Sequence, residues 1–323
     1  MDNYLGELIM NNVNNNVTRG FKKKTIEENI WRKMNKWIAS IEDEELRKEV
    51  KSNYIVTGGA ITSMLLGDLP NDYDVYFKDA SVAAKVAKYY LTKLPESQND
   101  KISKIEVKET TREDKSGRVE IFIKSAGVAG SDIDQTQYDY FEMGGDVKGY
   151  LEKAVNRENG KYEVVYMSSN AITLTDGVQL IVRFTGLPDQ IHKNYDFVHT
   201  TNWFTNGQLY LNMPALEATL AKELKYIGSL YPICSMFRLK KFIKRGWSVT
   251  AGEMLKIAYD ISKLDLNDIS IFQDQLTGVD AAYFNEVISI LQKENTKDID
   301  RTYLFELVSR VFDEFDADEE TEE

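Results

Sequence analysis

The sequence predicts an α+β chain: a mixed β-sheet head with flanking helices, followed by a C-terminal helical bundle. Three observations predict it. Residues 54–77 read as strand, Gly-Gly break, short helix and second strand. Strand-like runs return at 162–184 after a long polar stretch. From Ser248 onward every periodic segment has helical spacing.

Residues 1–24 are Asn-rich and end in Arg19, Lys22, Lys23 and Lys24, so they read as a flexible arm or docking peptide. Thr25-Ile26-Glu27-Glu28 is a capping-box signature that opens a helix carrying Ile30, Met34, Trp37, Ile38 and Ile41 on one stripe. Trp31 and Trp37 read together as core in preference to a base-stacking platform. A second helical run, 44–51, leads into the apolar, β-branched strand 54–57. Gly58 and Gly59 break that strand, and 60–66 winds as a short helix ending at Gly67. Glycines at such a junction let a ligand approach the backbone closely, and a helix N-terminus favours phosphate. Asp72 and Asp74 stand two apart around the start of strand 73–77, so both carboxylates project from one face. Paired oxygen anions beside a phosphate cradle are what magnesium-assisted phosphoryl or nucleotidyl transfer requires.

Ser81 is the expected cap of an alanine-rich helix reaching about residue 94. Residues 102–107 and 119–123 alternate as a hairpin around a charged turn, and 146–156 reads as one helix. The whole of about 95–160 is expected to be an insertion in the head. Strands follow at 162–166, 171–175 and 178–184, the last two joined by Asp176-Gly177. A short strand at 209–212 precedes Pro214, which starts an amphipathic helix over 215–227. The helix over 232–245 places Leu239, Phe242 and Ile243 on an apolar face. Arg238, Lys241 and Arg245 fall on another face, with Lys240 and Lys244 adjoining. That basic face suits a triphosphate or RNA backbone, or is simply solvated. Helices over 250–264, 268–276, 281–293 and 301–315 complete a small bundle. The expected division is an arm (1–24), a head (25–212), a helical region (213–312) and an acidic disordered tail (313–323).

At 323 residues the chain is long enough for two domains, and 42% hydrophobic with 28% charged residues is ordinary for a globular protein. No apolar run approaches a membrane span, and the Asn-rich start does not read as a signal peptide. The lone Cys234 excludes an internal disulfide and points to a reducing, cytoplasmic setting, which for a viral chain means the host cytoplasm or the virion. With two histidines and one cysteine, a His/Cys zinc site is not expected. The net charge of −12 argues against a broad polyanion-binding surface, but eight acids lie in 313–323. The remainder holds 44 acids against 40 bases, so a local basic patch is compatible with nucleic acid.

Gly58-Gly59, Leu65-Leu66-Gly67, Asp72 and Asp74 in this order resemble the head domain of class II nucleotidyltransferases, the CCA-adding enzymes and bacterial poly(A) polymerases of the polymerase-β superfamily. The resemblance extends to Asp196-Phe197 and Asn202, to Leu224-Lys225-Tyr226-Ile227-Gly228, and to the 232–245 helix. It implies a nucleotidyltransferase-type head in which Asp72 and Asp74 are catalytic and bind Mg2+ or Mn2+. It further implies a nucleoside triphosphate, ATP by expectation, held by Gly58, Gly59, Thr62, Ser63, Asp196, Asn202, Arg238 and Lys241. The implied acceptor is an RNA 3′ end, on tRNA or poly(A). A protein partner would dock through the arm or the acidic tail.

The chain also departs from that family's pattern. Thr62 and Ser63 stand where the family has Arg and Asp, Asn194 and Tyr195 replace an arginine pair, and Gln179 occupies the place of a third carboxylate. Asp176, Glu163 or Asp196 are alternative sources of that carboxylate, and His192 and Lys193 of the missing positive charge. The competing expectation is therefore a catalytically degenerate nucleotidyltransferase fold that serves as a binding or structural protein.

Overall fold

The computed structural model describes residues 20–94, 105–111, 116–123, 162–168 and 170–266, together with Ile271, Gln275 and Glu306. The chain divides into two compact units, Met1–Glu223 and Leu224–Glu323. The first is α+β with a mixed nine-stranded sheet.

Helices α1 (Lys23–Ser40) and α2 (Glu44–Asn53) lead into β1 (Tyr54–Thr57). Helix α3 (Gly59–Leu66) then connects to β2 (Tyr73–Phe77), and α4 (Ala80–Leu91) follows. The hairpin β3 (Ile105–Thr111) and β4 (Gly117–Ile123) precedes β5 (Val164–Met167), β6 (Ala171–Leu174) and β7 (Val178–Thr185). A short helix α5 (Pro188–His192) and a 3-10 turn (Val198–Thr200) lead to β8 (Trp203–Thr205), β9 (Gln208–Tyr210) and α6 (Met213–Ala221). The strand order is β3-β4-β7-β2-β1-β8-β9, with β6 also on β7 and β5 on β6. β2 and β7 run parallel, and the other pairs are antiparallel.

One face of the sheet holds the main core. Val56, Tyr73, Val75, Phe77, Val178, Leu180 and Val182 pack there against Ile30, Met34 and Trp37 of α1 and Ala83, Val86 and Tyr90 of α4. Trp37 donates its indole N–H to the Tyr90 hydroxyl at 2.8 Å, so the one polar atom of that ring is satisfied within the core. On the other face a small cluster gathers Ile55, Tyr76 and Ile191 with Ile181, Phe184, Tyr195 and Trp203.

Several expectations are corrected. Helix α1 starts at Lys23, ahead of the capping-box residues, with no side-chain cap. Glu28, the glutamate of that box, lies 4.0 Å from Lys24, and Glu27 accepts from the Leu209 N–H at 2.9 Å at the edge of β9. Helix α4 is preceded by Asp79, not capped by Ser81, and the Asp79 carboxylate accepts from the Asn53 side-chain amide. The hairpin expected from strands 102–107 and 119–123 has its strands at Ile105–Thr111 and Gly117–Ile123. It joins the central sheet through Gly117 of β4, which pairs with Thr185 of β7. The helix expected over 215–227 ends at Ala221, where Lys222 adopts a left-handed conformation with φ 47°. Residues 146–156, the arm up to residue 19 and the acidic tail lie outside the described residues.

In the second unit, α7 (Pro232–Lys244) and α8 (Ala251–Ser262) match the two helices expected there. Thr250 caps α8 by accepting from the Glu253 N–H. Ile243 is 44% exposed, so the apolar face of α7 is narrower than its pattern implied. The Cys234 thiol donates to the Gln275 carbonyl at 2.6 Å, and the remaining expected helices fall largely outside the described residues.

Candidate functional site

β1 delivers the chain to the Gly58-Gly59 break, and β2 runs antiparallel beside it with Val56 opposite Val75. Gly58 has φ 102°, a conformation that side chains rarely adopt. A Cβ on it would lie 2.9 Å from Asp74 Oδ2 and 3.8 Å from the Tyr195 hydroxyl. The glycine is therefore required twice over, for its backbone angle and for the approach of the Asp74 carboxylate. Gly59 differs, because it is exposed and a Cβ there would meet nothing within 4 Å.

The Gly58 N–H donates to the Thr200 carbonyl at 3.1 Å, which removes it from any phosphate cradle. The donors left for an anion are those of Gly59 and the following first turn of α3, which have no helical acceptor. Asp74 is half-buried and Asp72 exposed. In the parallel register Asp74 lies beside Gln179 of β7, and Gln179 faces Thr173 of β6. The position read as that of a third carboxylate is thus next to Asp74, and it holds a neutral amide.

The alternative acids sit elsewhere. Asp176 accepts from Lys33 Nζ at 2.7 Å and from the Tyr162 hydroxyl at 3.0 Å. The same lysine lies 5.5 Å over the Tyr73 ring, whose side chain belongs to the core face of β2, opposite Asp74. Asp196 is buried against His199 and accepts from the Phe197 N–H at 3.1 Å. Glu163 is exposed at the start of β5, where its backbone N–H bonds to Thr175 Oγ1. Among the described residues no group of three or more His, Cys, Asp and Glu side chains is placed to hold a metal. The carboxylate at Gly58 is that of Asp74, with Gln179 beside it in register and Asp72 two residues away. Carboxylate and amide oxygens are hard donors of the kind that fits Mg2+ or Mn2+ completed by ligand and water oxygens.

Tyr195 closes the other side of this site. Burial pushes its phenol well above the ordinary range, with the neighbouring Tyr76 phenol and Asp74 charge acting in the same direction. His192 packs on it with ring centroids 5.1 Å apart, and His192 Nε2 lies 2.9 Å from Thr57 Oγ1. Burial lowers the His192 pKa to about 4, outweighing the opposite pull of Asp189. The imidazole is neutral at pH 7 and does not supply the charge of the missing arginines.

The other residues assigned to a nucleotide are placed as follows. Thr62 is buried and donates to the His199 carbonyl at 3.0 Å. Asn202 is fully buried, and its Oδ1 accepts from the Asn212 N–H at 2.9 Å. With Asp196 they brace the 196–202 segment against α3 and the start of α6. Ser63 is half-buried, and its carbonyl accepts from the Asp68 N–H at 2.9 Å in the turn after α3. Arg238 is exposed and Lys241 half-buried on α7, in the second unit.

Two features escaped the sequence reading. In sequence Tyr195 stands out only as a replaced arginine, and no local pattern announces that its hydroxyl reaches the Gly58 turn. The β8–β9 hairpin was legible in Asn206-Gly207, whose φ values of 51° and 78° are those that an Asn-Gly turn favours. Across that hairpin the Trp203 and Tyr210 rings stack 5.3 Å apart at 6°.

Comparison with known proteins adds two findings. The model of a family described as Gad2: Gabija anti-defense 2 family protein matches residues 28–222. Among solved structures, the Thermotoga maritima CCA-adding enzyme complexed with tRNA aligns at 10% identity and a TM-score of 0.36, over 80% of this chain and 53% of that one. A CCA-adding enzyme in complex with ATP aligns at 11% and 0.36, over 76% and 47%. A tRNA-processing enzyme with CTP aligns at 11% and 0.34, over 82% and 57%. The chain thus spans about half the length of these proteins. No curated protein matches the sequence.

Proposed function

The chain belongs to the Gabija anti-defense 2 family, and we propose that it counters that defence as a metal-dependent nucleotidyltransferase. What supports the reading is the Asp74 carboxylate, held against the Gly58 turn at the head of α3 with Asp72 two residues away. Gly59 and the first turn of α3 bind the phosphates of a nucleoside triphosphate, ATP by preference. Asp72 and Asp74 are the residues that would hold Mg2+ or Mn2+. When bound, the metal activates an acceptor hydroxyl and stabilises charge on the attacked α-phosphate. Tyr195 keeps a neutral hydroxyl beside Asp74 and excludes water from that side of the carboxylate. The nucleoside monophosphate passes to the acceptor, an RNA 3′ end in this reading, and pyrophosphate leaves.

One observation favours a second reading. Gln179 stands beside Asp74 where a third acid would strengthen metal binding. A chain without that acid would bind its target without chemistry, and the Asn-rich arm and acidic tail would be its docking segments.

Titration calorimetry with ATP, with and without Mg2+, separates the two. The parent is expected to bind ATP in a Mg2+-dependent manner. Asp72→Ala/Asp74→Ala should weaken this by at least the roughly 10–100-fold that outer-shell partners of a metal site cost, and Gln179→Asp should strengthen it. Labelled-nucleotide transfer onto tRNA, oligo(A) and total protein then assigns the acceptor. Absence of ATP binding, or binding indifferent to the double substitution, leaves the second reading. So does full anti-Gabija activity in the double variant.

A further inference from the structure

The two tryptophans of α1 have different surroundings. Trp37 is fully buried and hydrogen-bonded, whereas Trp31 is 55% exposed. Trp31 forms a wall of a cleft of about 470 Å³ at the opposite end of β1 from Gly58. α2 contributes Lys48, Lys51 and Ser52 to it, and the β8–β9 turn contributes Asn206 and Gly207. Asn35, one helical turn beyond Trp31, also lines the cleft, and among the described residues its side-chain Nδ2 is buried with no hydrogen-bond partner. A buried amide donor left unsatisfied is costly, and a small rotation of the Asn35 side chain would turn it to a ligand acceptor.

These groups share one recognition chemistry. An exposed indole offers a stacking face for a planar base. The Asn35 amide offers a donor to an acceptor atom on that base. Lys48 and Lys51 place positive charge on the α2 wall, where a phosphate would sit. Lys48 also pairs with Glu44 at 3.1 Å on the exposed surface, so Lys51 is the stronger anion partner. The β8–β9 turn approaches the indole closely at Gly207, where a Cβ would stand in ordinary contact 3.9 Å from Trp31 Cδ1. The volume falls within the roughly 300–1,000 Å³ range of small-molecule sites.

We propose that the Trp31–Asn35–Lys51 cleft is a second nucleotide-binding site, separate from the Gly58–Asp74 site, that takes one nucleoside monophosphate unit with its base on Trp31. The unit is either a free nucleotide or the end of a single strand of nucleic acid. Among the described residues no carboxylate lines it, so binding there is proposed to proceed without a metal. It rests on residues that the nucleotidyltransferase reading does not use.

The test is quenching of tryptophan fluorescence by AMP and by 5′-phosphorylated oligo(A), in EDTA, on the full chain. Saturable quenching is expected in the parent and unchanged in Asp72→Ala/Asp74→Ala. Trp31→Ala, followed by calorimetry because it removes the reporter, should weaken binding roughly tenfold or more. Lys51→Ala should weaken it by a smaller, salt-dependent factor. A tighter response to oligo(A) than to AMP identifies a strand end as the ligand, and equal responses identify the free nucleotide. Binding unchanged in Trp31→Ala and Lys51→Ala, no binding in EDTA, or loss of all binding in the aspartate double variant overturns the proposal. Because both Trp31 and Lys51 are exposed, an unaltered circular dichroism spectrum is expected for either variant. Failure here leaves the Mg2+-dependent ATP titration untouched, so the two proposals fall separately.

Discussion

The two faces of the central sheet differ in what they bury: one the main apolar core, the other a small apolar cluster mixed with polar groups. Toward α1 and α4, Tyr73, Val75 and Phe77 of β2 are buried in the main core. On the other face the same strand presents Asp74 and Tyr76, beside Gln179 and below Tyr195. The alternation of side chains along one strand separates stability from chemistry, because consecutive residues must point to opposite faces. The covered face is filled by apolar contacts. The other keeps a half-buried carboxylate, a neutral imidazole and a glycine that no other residue can replace without strain.

That contrast can be broken most severely from the covered side. Phe77 is fully buried, so Phe77→Ala should cost about 3–5 kcal/mol in urea unfolding. A loss below about 1 kcal/mol would mean that the sheet face is not the core.

The next effect is a pH response carried by the two histidines. Both His192 and His199 are depressed from 6.5 to about 4, chiefly by burial. A lowered folded-state value means that the unfolded chain binds protons first as pH falls. The stability these groups support is complete above about 6.5 and drains as pH drops toward about 4. The ceiling is roughly 3–4 kcal/mol for each. Urea titrations at intervals across that window should show His192→Gln/His199→Gln losing less stability than the parent. Parallel slopes would mean that neither ring is buried neutral.

The smallest effect separates the adjacent glycines. Gly58→Ala forces a side chain into φ 102° and against Asp74, a strain of about 1–3 kcal/mol. Gly59→Ala meets open space and should stay within about 0.5 kcal/mol. Equal melting temperatures for the two variants would remove the close approach on which the metal site is argued.

Much of this was legible in the chain alone. The strand, Gly-Gly, helix, Asp-x-Asp order appears as β1, α3 and β2, since β-branched runs, glycine breaks and two-residue periodicity are local signals. The Asp176-Gly177 turn likewise carries φ values of 61° and 62°. The start of α1 and the end of α6 depart from their sequence patterns. Thr25 lies inside the first turn of α1 and so cannot cap it, and the apolar period past Ala221 belongs to extended chain, not to a further helical turn.

What the sequence determined by itself is the local grammar: which runs are strands, where glycine must break them, and that two carboxylates share a face. Tertiary structure decided what those groups meet. Parallel pairing of β2 with β7, more than a hundred residues apart, sets Gln179 beside Asp74, and chain return through α5 brings Tyr195 to the Gly58 turn. Contacts between distant segments depend on how whole elements pack, and no short window of residues encodes them.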